Sequence, residues 1–165
     1  MNGAPRVVLA VAAAAAALAS AAARADTYAV LPATGDAFAP VLDEIAKETR
    51  KALVEDGVDV QPADVTAKQL TDLSASGVSC KVSEDDCALR IGLAAGVDVV
   101  VTENVSVAGS RLLLRMSALP TAADAKPRHV YGELTLKDDG ASVASAVRRV
   151  LGKPDPSPTL SPVNV

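Results

Sequence analysis

Leu89-Arg90-Ile91-Gly92-Leu93-Ala94-Ala95-Gly96-Val97-Asp98-Val99-Val100-Val101 joins the end of one element to the start of another. Cys87, Ala88, Ile91, Ala94 and Ala95 recur at the three- and four-residue spacing of a helix face. Ser83 stands where a capping residue would open that helix, and Glu84-Asp85-Asp86 fills its first turn, where the helix dipole favours negative charge. Gly96 is suited to end it. Val99 to Val101 is apolar on both faces, the pattern of a central strand covered on two sides. A helix feeding such a strand is half of a parallel α/β unit, so the fold class follows from this junction.

Upstream, Tyr28 to Leu31 reads as a first strand closed by Pro32 and Gly35. From Pro40 to Glu55, Val41, Leu42, Ile45, Thr49, Ala52 and Leu53 form one helical face, with Asp43, Glu44, Lys47, Glu48, Arg50 and Lys51 opposite. Pro40 fits the first turn, and Gly57 can close the last. Val58 to Val60 is a brief second strand, and Thr66 to Leu73 a weaker helical segment before the Ser74 to Gly77 breaker.

Downstream, Val105-Ser106-Val107 and Leu112 to Met116 flank Ala108-Gly109-Ser110-Arg111, a hairpin in which Gly109 can take positive φ. Arg128 to Lys137 alternates: His129, Tyr131, Glu133, Thr135 and Lys137 share one face, and Val130, Gly132, Leu134 and Leu136 the other. A half-polar strand belongs at an edge or on an uncovered face. A last helix over about Ala141 to Leu151 carries Val143, Val147 and Val150 inward and Arg148 and Arg149 outward. The expected fold is a single small α/β domain, β-α-β-α-α-β-β-β-α, with a five-stranded mixed sheet flanked by about three helices. Right-handed crossovers predict the sheet order 2-1-3-4-5.

This layout resembles the amino-terminal α/β domain of TolB and related envelope domains, including those of curli-secretion-like lipoproteins. The resemblance rests on Ala29-Val30-Leu31-Pro32, the long helix after it, the Leu89 to Val101 junction, the Gly109 hairpin and the final strand and helix. The chain differs in having Asp26 where a lipid-anchoring cysteine would stand, no downstream propeller or secretion module, and Asn104 where relatives often carry glycine. The resemblance implies a docking or accessory domain and brings no catalytic residues.

The first 25 residues read as a secretory signal peptide: a positive start through Arg6, an alanine-rich apolar run, and Ala23-Arg24-Ala25 as cleavage site. The expected location is periplasmic or secreted, with no stable membrane span after cleavage; retention of the segment as a membrane anchor is the alternative. Residues 26–152 form the domain, and 153–165, with Pro154, Pro156, Pro158 and Pro162, read as a disordered proline-rich tail. After cleavage, 14 basic residues face 20 acidic ones, a net charge of −6. An acidic chain with one phenylalanine, two tyrosines and no tryptophan lacks the cationic surface and stacking platforms of nucleic-acid binders.

Cys80 and Cys87, six residues apart when one counts those between them, are expected to form a structural disulfide in an oxidising compartment. A redox pair is the rival, though its usual spacing is Cys-x-x-Cys. One histidine and two cysteines make a poor zinc set. His129 has no Gly-x-Ser-x-Gly elbow to serve, and Glu84-Asp85-Asp86 lacks the alternating oxygen ligands of a calcium loop. No cofactor is implied, and no catalytic or metal-binding residue is assigned. The favoured function is docking of a protein partner in the cell envelope, through the edge residues His129, Tyr131, Glu133 and Thr135; a small periplasmic enzyme or thiol-disulfide redox protein is the alternative.

Overall fold

The computed structural model describes residues 26–77, 81–135 and 140–154. The elements in chain order are β1 (Thr27–Val30), β2 (Thr34–Gly35), α1 (Ala39–Glu55), β3 (Asp59–Val60), α2 (Ala63–Ala75), α3 (Asp85–Ala95), β4 (Val99–Ala108), β5 (Arg111–Pro120), β6 (Arg128–Leu134) and α4 (Ala141–Val150). The sheet order is β3-β1-β4-β5-β6, with β2 added alongside β4. β1, β3 and β4 run parallel, and β4, β5 and β6 antiparallel. The expected order 2-1-3-4-5 corresponds to these five strands, and the two predicted segments around Val101 and Val105 are one continuous β4.

Register assigns each side chain to a face. Tyr28, Val30, Val99, Val101, Val105, Leu114, Met116, Val130 and Leu134 face α1 and α4, whose Ile45, Leu53, Val143 and Val147 complete the larger core. Ala29, Leu31, Val100 and Leu119 face the opposite way, toward Cys87, Ala88 and Ile91 of α3, with Leu70 and Leu73 of α2 at the margin. Gly92 lets α3 lie against the sheet, since a Cβ there would fall 2.2 Å from a methyl of Val100. This second layer covers β1, β4 and the end of β5, and it stops before β6.

Several local readings differ from the structure. Ser83 does not cap α3: the cap position is Glu84, with no side-chain hydrogen bond, so first-turn charge from Asp85 and Asp86 takes the place of a capping hydroxyl. The stretch after Pro32 is more than a strand terminus. Thr34 and Gly35 pair with Asn104 and Val105, the Thr34 hydroxyl donates to the Glu103 carbonyl at 3.0 Å, and Asn104 Nδ2 donates to Thr34 Oγ1 at 3.2 Å. Gly35 sits at φ +132°, and a Cβ there would lie 1.8 Å from the Val105 oxygen, so only glycine permits this strap.

Candidate interaction surface

Beyond the cover of α3, register builds the far face of β4, β5 and β6 as a grid that is buried at Thr102 and Ser117 and opens toward β6. Thr102, Ser117 and His129 form one row; Asn104, Arg115 and Tyr131 the next; Ser106, Leu113 and Glu133 the third. Tyr131 is 52% exposed, the largest apolar surface on this face. Arg115 reaches Asp85 at the start of α3 at 3.4 Å, and Arg111 reaches Glu133 at 3.4 Å. The alternation in the sequence was sufficient to place His129, Tyr131 and Glu133 together, because side chains of a strand repeat with period two. Thr135 follows the strand and is exposed, whereas Lys137 lies outside the described residues.

β6 is also the end of the sheet. Thr135 N–H donates to Ser142 Oγ at 3.3 Å, and Arg149 Nη1 donates to the Tyr131 carbonyl at 3.5 Å. Both partners sit on α4, so the odd-numbered residues turn their backbone groups away from β5. N–H and C=O of one residue point the same way in an antiparallel ladder, and successive residues alternate. His129, Tyr131 and Glu133 therefore present their N–H and C=O groups at the free edge, while Thr135 uses its donor within the domain. Among the described residues, the edge open to another strand is three residues of alternating side chains.

The other candidates resolve by geometry. His129 Nδ1 lies 2.8 Å from Ser117 Oγ, but Ser117 is 1% exposed and no carboxylate among the described residues orients the ring. The pair ties two strands together and offers a substrate no accessible nucleophile. A hollow of about 710 Å³ at the end of the sheet where β1, β4 and β6 begin is bordered by Asp26, Tyr28, Asp98 and Arg128. Burial first, and then the Asp26 charge, push the Tyr28 phenol upward, against any role as a base or nucleophile at neutral pH. No group of three or more metal-ligating side chains occurs among the described residues, and none of their helices is long and apolar enough to cross a membrane. Cys87 is buried against α3's core partners, 3% exposed; Cys80 lies outside the described residues, and the bridge between them remains a proposal.

One residue gave no warning in the sequence. Glu103, on β4, points into the larger core at 1% exposure, opposite Met116. The Thr49 hydroxyl of α1 donates to its Oε1, and its Oε2 has no hydrogen-bond partner among the described residues. Arg50 is nearby, its guanidinium bound to the carbonyls of Val30 at 2.8 Å and Ala46 at 3.2 Å. Burial pushes the Glu103 carboxyl up to about 7, with the Thr49 hydrogen bond and the Arg50 charge pulling the other way. Burial likewise holds the Arg50 guanidinium below its ordinary value. Helical periodicity placed Thr49 inward and Arg50 outward, which is correct for Thr49, whereas Arg50 lies half-buried along the sheet.

No family model matches the chain, and no curated protein matches it. Solved structures do. Lipoprotein GNA1162 of Neisseria meningitidis is similar with a TM-score of 0.53 at 13% identity, over 69% of this chain and 83% of that one. The LpoB C-terminal domain of Salmonella enterica is similar with a TM-score of 0.51 at 14% identity, and that of Escherichia coli with 0.50 at 15%, each over 67% of this chain and 82% of the other. At such identities the likeness is one of fold, compatible with a lipoprotein α/β domain, and it does not single out TolB.

Proposed function

We propose that this chain is a non-catalytic, exported accessory domain of the bacterial cell envelope, docking a protein partner on the free edge of β6 and the open sheet face beside it. The observation that carries this reading is the coincidence of three outward-facing backbone units, at His129, Tyr131 and Glu133, with an uncovered face holding the half-exposed Tyr131 ring. An edge supplies unpaired donors and acceptors for a partner strand, and an adjoining aromatic supplies apolar contact. The signal-peptide pattern of the first 25 residues supports export, and the fold shared with a lipoprotein domain is in keeping with an envelope setting. Cys80 and Cys87 are proposed as a structural bridge that pins the segment before α3.

The test is a pair of edge variants. Proline in place of Tyr131 or Glu133 removes an outward donor while leaving the ladder to β5 intact. Each folded variant is expected to lose capture of the native partner from the envelope fraction. Unchanged capture by both, with native circular dichroism retained, would place binding elsewhere.

A further inference from the structure

Charge is divided unevenly along this chain, and the fold turns that division into a spatial one. Residues 26–110 carry 6 basic and 15 acidic residues, whereas 111–153 carry 8 basic and 4 acidic. The second set contains β5, β6 and α4, so the free edge lies in the cationic part of an acidic protein. Several of these cations are already matched: Arg111 by Glu133, Arg115 by Asp85, and Arg148 and Lys153 by Asp56. Arg128 and Arg149 have no ion-pair partner among the described residues. Arg149 stands at the edge, on α4 with its guanidinium on the outward Tyr131 carbonyl, whereas Arg128, at the start of β6, turns its guanidinium to Gly152 and the hollow beside Tyr28.

We infer that the occupant of the β6 edge is an extended, acidic segment of the partner protein, added as a further strand; this rests on the docking reading above. The Arg149 contact at 3.5 Å is at the limit of a hydrogen bond and partly exposed, so it is readily exchanged. An incoming strand brings an N–H for the Tyr131 carbonyl and a carboxylate for the released guanidinium, so both groups keep a partner throughout. A neutral strand would leave Arg149 without that compensation, and a basic one would meet repulsion from Arg149. Nucleic acid would find the charge but no use for the strand-pairing groups, and an anionic membrane likewise.

The experiment uses the mature domain, isotopically labelled, and three synthetic peptides in which valine alternates with glutamate, serine or lysine. The glutamate peptide is expected to shift the amide signals of His129, Tyr131 and Glu133, to bind about tenfold more tightly than the serine peptide, and to weaken as salt rises. Arg149→Glu should abolish that preference, and Arg149→Lys should retain most of it. Equal binding of serine and glutamate peptides at β6 would overturn the acidic inference and leave the docking reading standing. Failure of all three to shift the β6 amides would overturn both. Binding to phosphatidylglycerol vesicles that the glutamate peptide does not displace would assign the cationic strip to a membrane, and would also overturn the inference.

Discussion

Glu103→Gln isolates the energetic cost of a single buried carboxyl. The group stands near 7 in the folded domain and near 4.5 when exposed, a gap that corresponds to about 3 kcal/mol between its two protonation states. The sign follows from which state gives up the proton first. Below about 4.5 the carboxyl is neutral in both folded and unfolded chains, and its ionisation costs nothing. As pH rises from there toward 7, the unfolded chain ionises while the folded one stays protonated, so stability falls. Above about 7 the folded form ionises too, and the loss levels off. Glutamine fills the same space, can still accept from Thr49, and does not titrate. The variant should therefore match the parent at pH 4.5 and exceed it by about 3 kcal/mol at pH 8, with a melting temperature higher by on the order of 10 °C. Chemical denaturation of both proteins from pH 4.5 to 8.5 measures this, and taking the difference at each pH cancels the titration of every other group. A difference that stays flat with pH, or a parent more stable than the variant at pH 8, would refute the reasoning and show that Arg50 fully compensates the buried charge.

Cys80→Ser is expected to lower stability by about 2 kcal/mol without abolishing the fold, since closing so short a loop restricts the unfolded chain only modestly; denaturation with and without reductant checks it, and two alkylatable thiols in the non-reduced parent would contradict the bridge. Gly35→Ala should destabilise by about 2 to 4 kcal/mol, because the new Cβ would collide with the Val105 oxygen at 1.8 Å and expel the strap; a Tm unchanged within a degree would show that β2 contributes nothing. A chain spanning residues 26–154 should unfold at the same temperature as one spanning 26–165, since Lys153, whose ammonium reaches the Asp56 carbonyl at 2.8 Å, is retained; a large drop in a calorimetric scan would show that the tail packs.

Much of the architecture was legible because it is written in local periodicity. The apolar spacing of α1 and the two-sided Val99 to Val101 run identify their elements, and crossover handedness then leaves few sheet orders. The alternation from His129 to Glu133 announces a half-covered strand, and the structure supplies both an edge and an open face there. What was not legible depends on partners distant in the chain. Two residues, Thr34 and Gly35, have too little length to show a strand period, and their pairing exists only because β4 extends beyond β1. Glu103 sits among Val101, Val105 and Met116, and nothing local distinguishes an inward carboxylate from a solvated one; Thr49, 54 residues away, makes the difference. The use of the Thr135 donor by Ser142 is likewise a tertiary event, and it shortens the edge that the alternation alone would suggest.

The central claim, that β6 receives a partner strand, is tested most directly by amide hydrogen exchange at His129, Tyr131 and Glu133 in the free domain and in its complex with the native partner. These three N–H groups point away from β5 and should exchange rapidly in the free domain, while Val130 and Gly132, bonded within the sheet, exchange slowly. Binding is expected to slow all three by about a hundredfold or more, with little change at Val130 and Gly132. Unaltered exchange at His129, Tyr131 and Glu133 in a saturated complex would contradict the account.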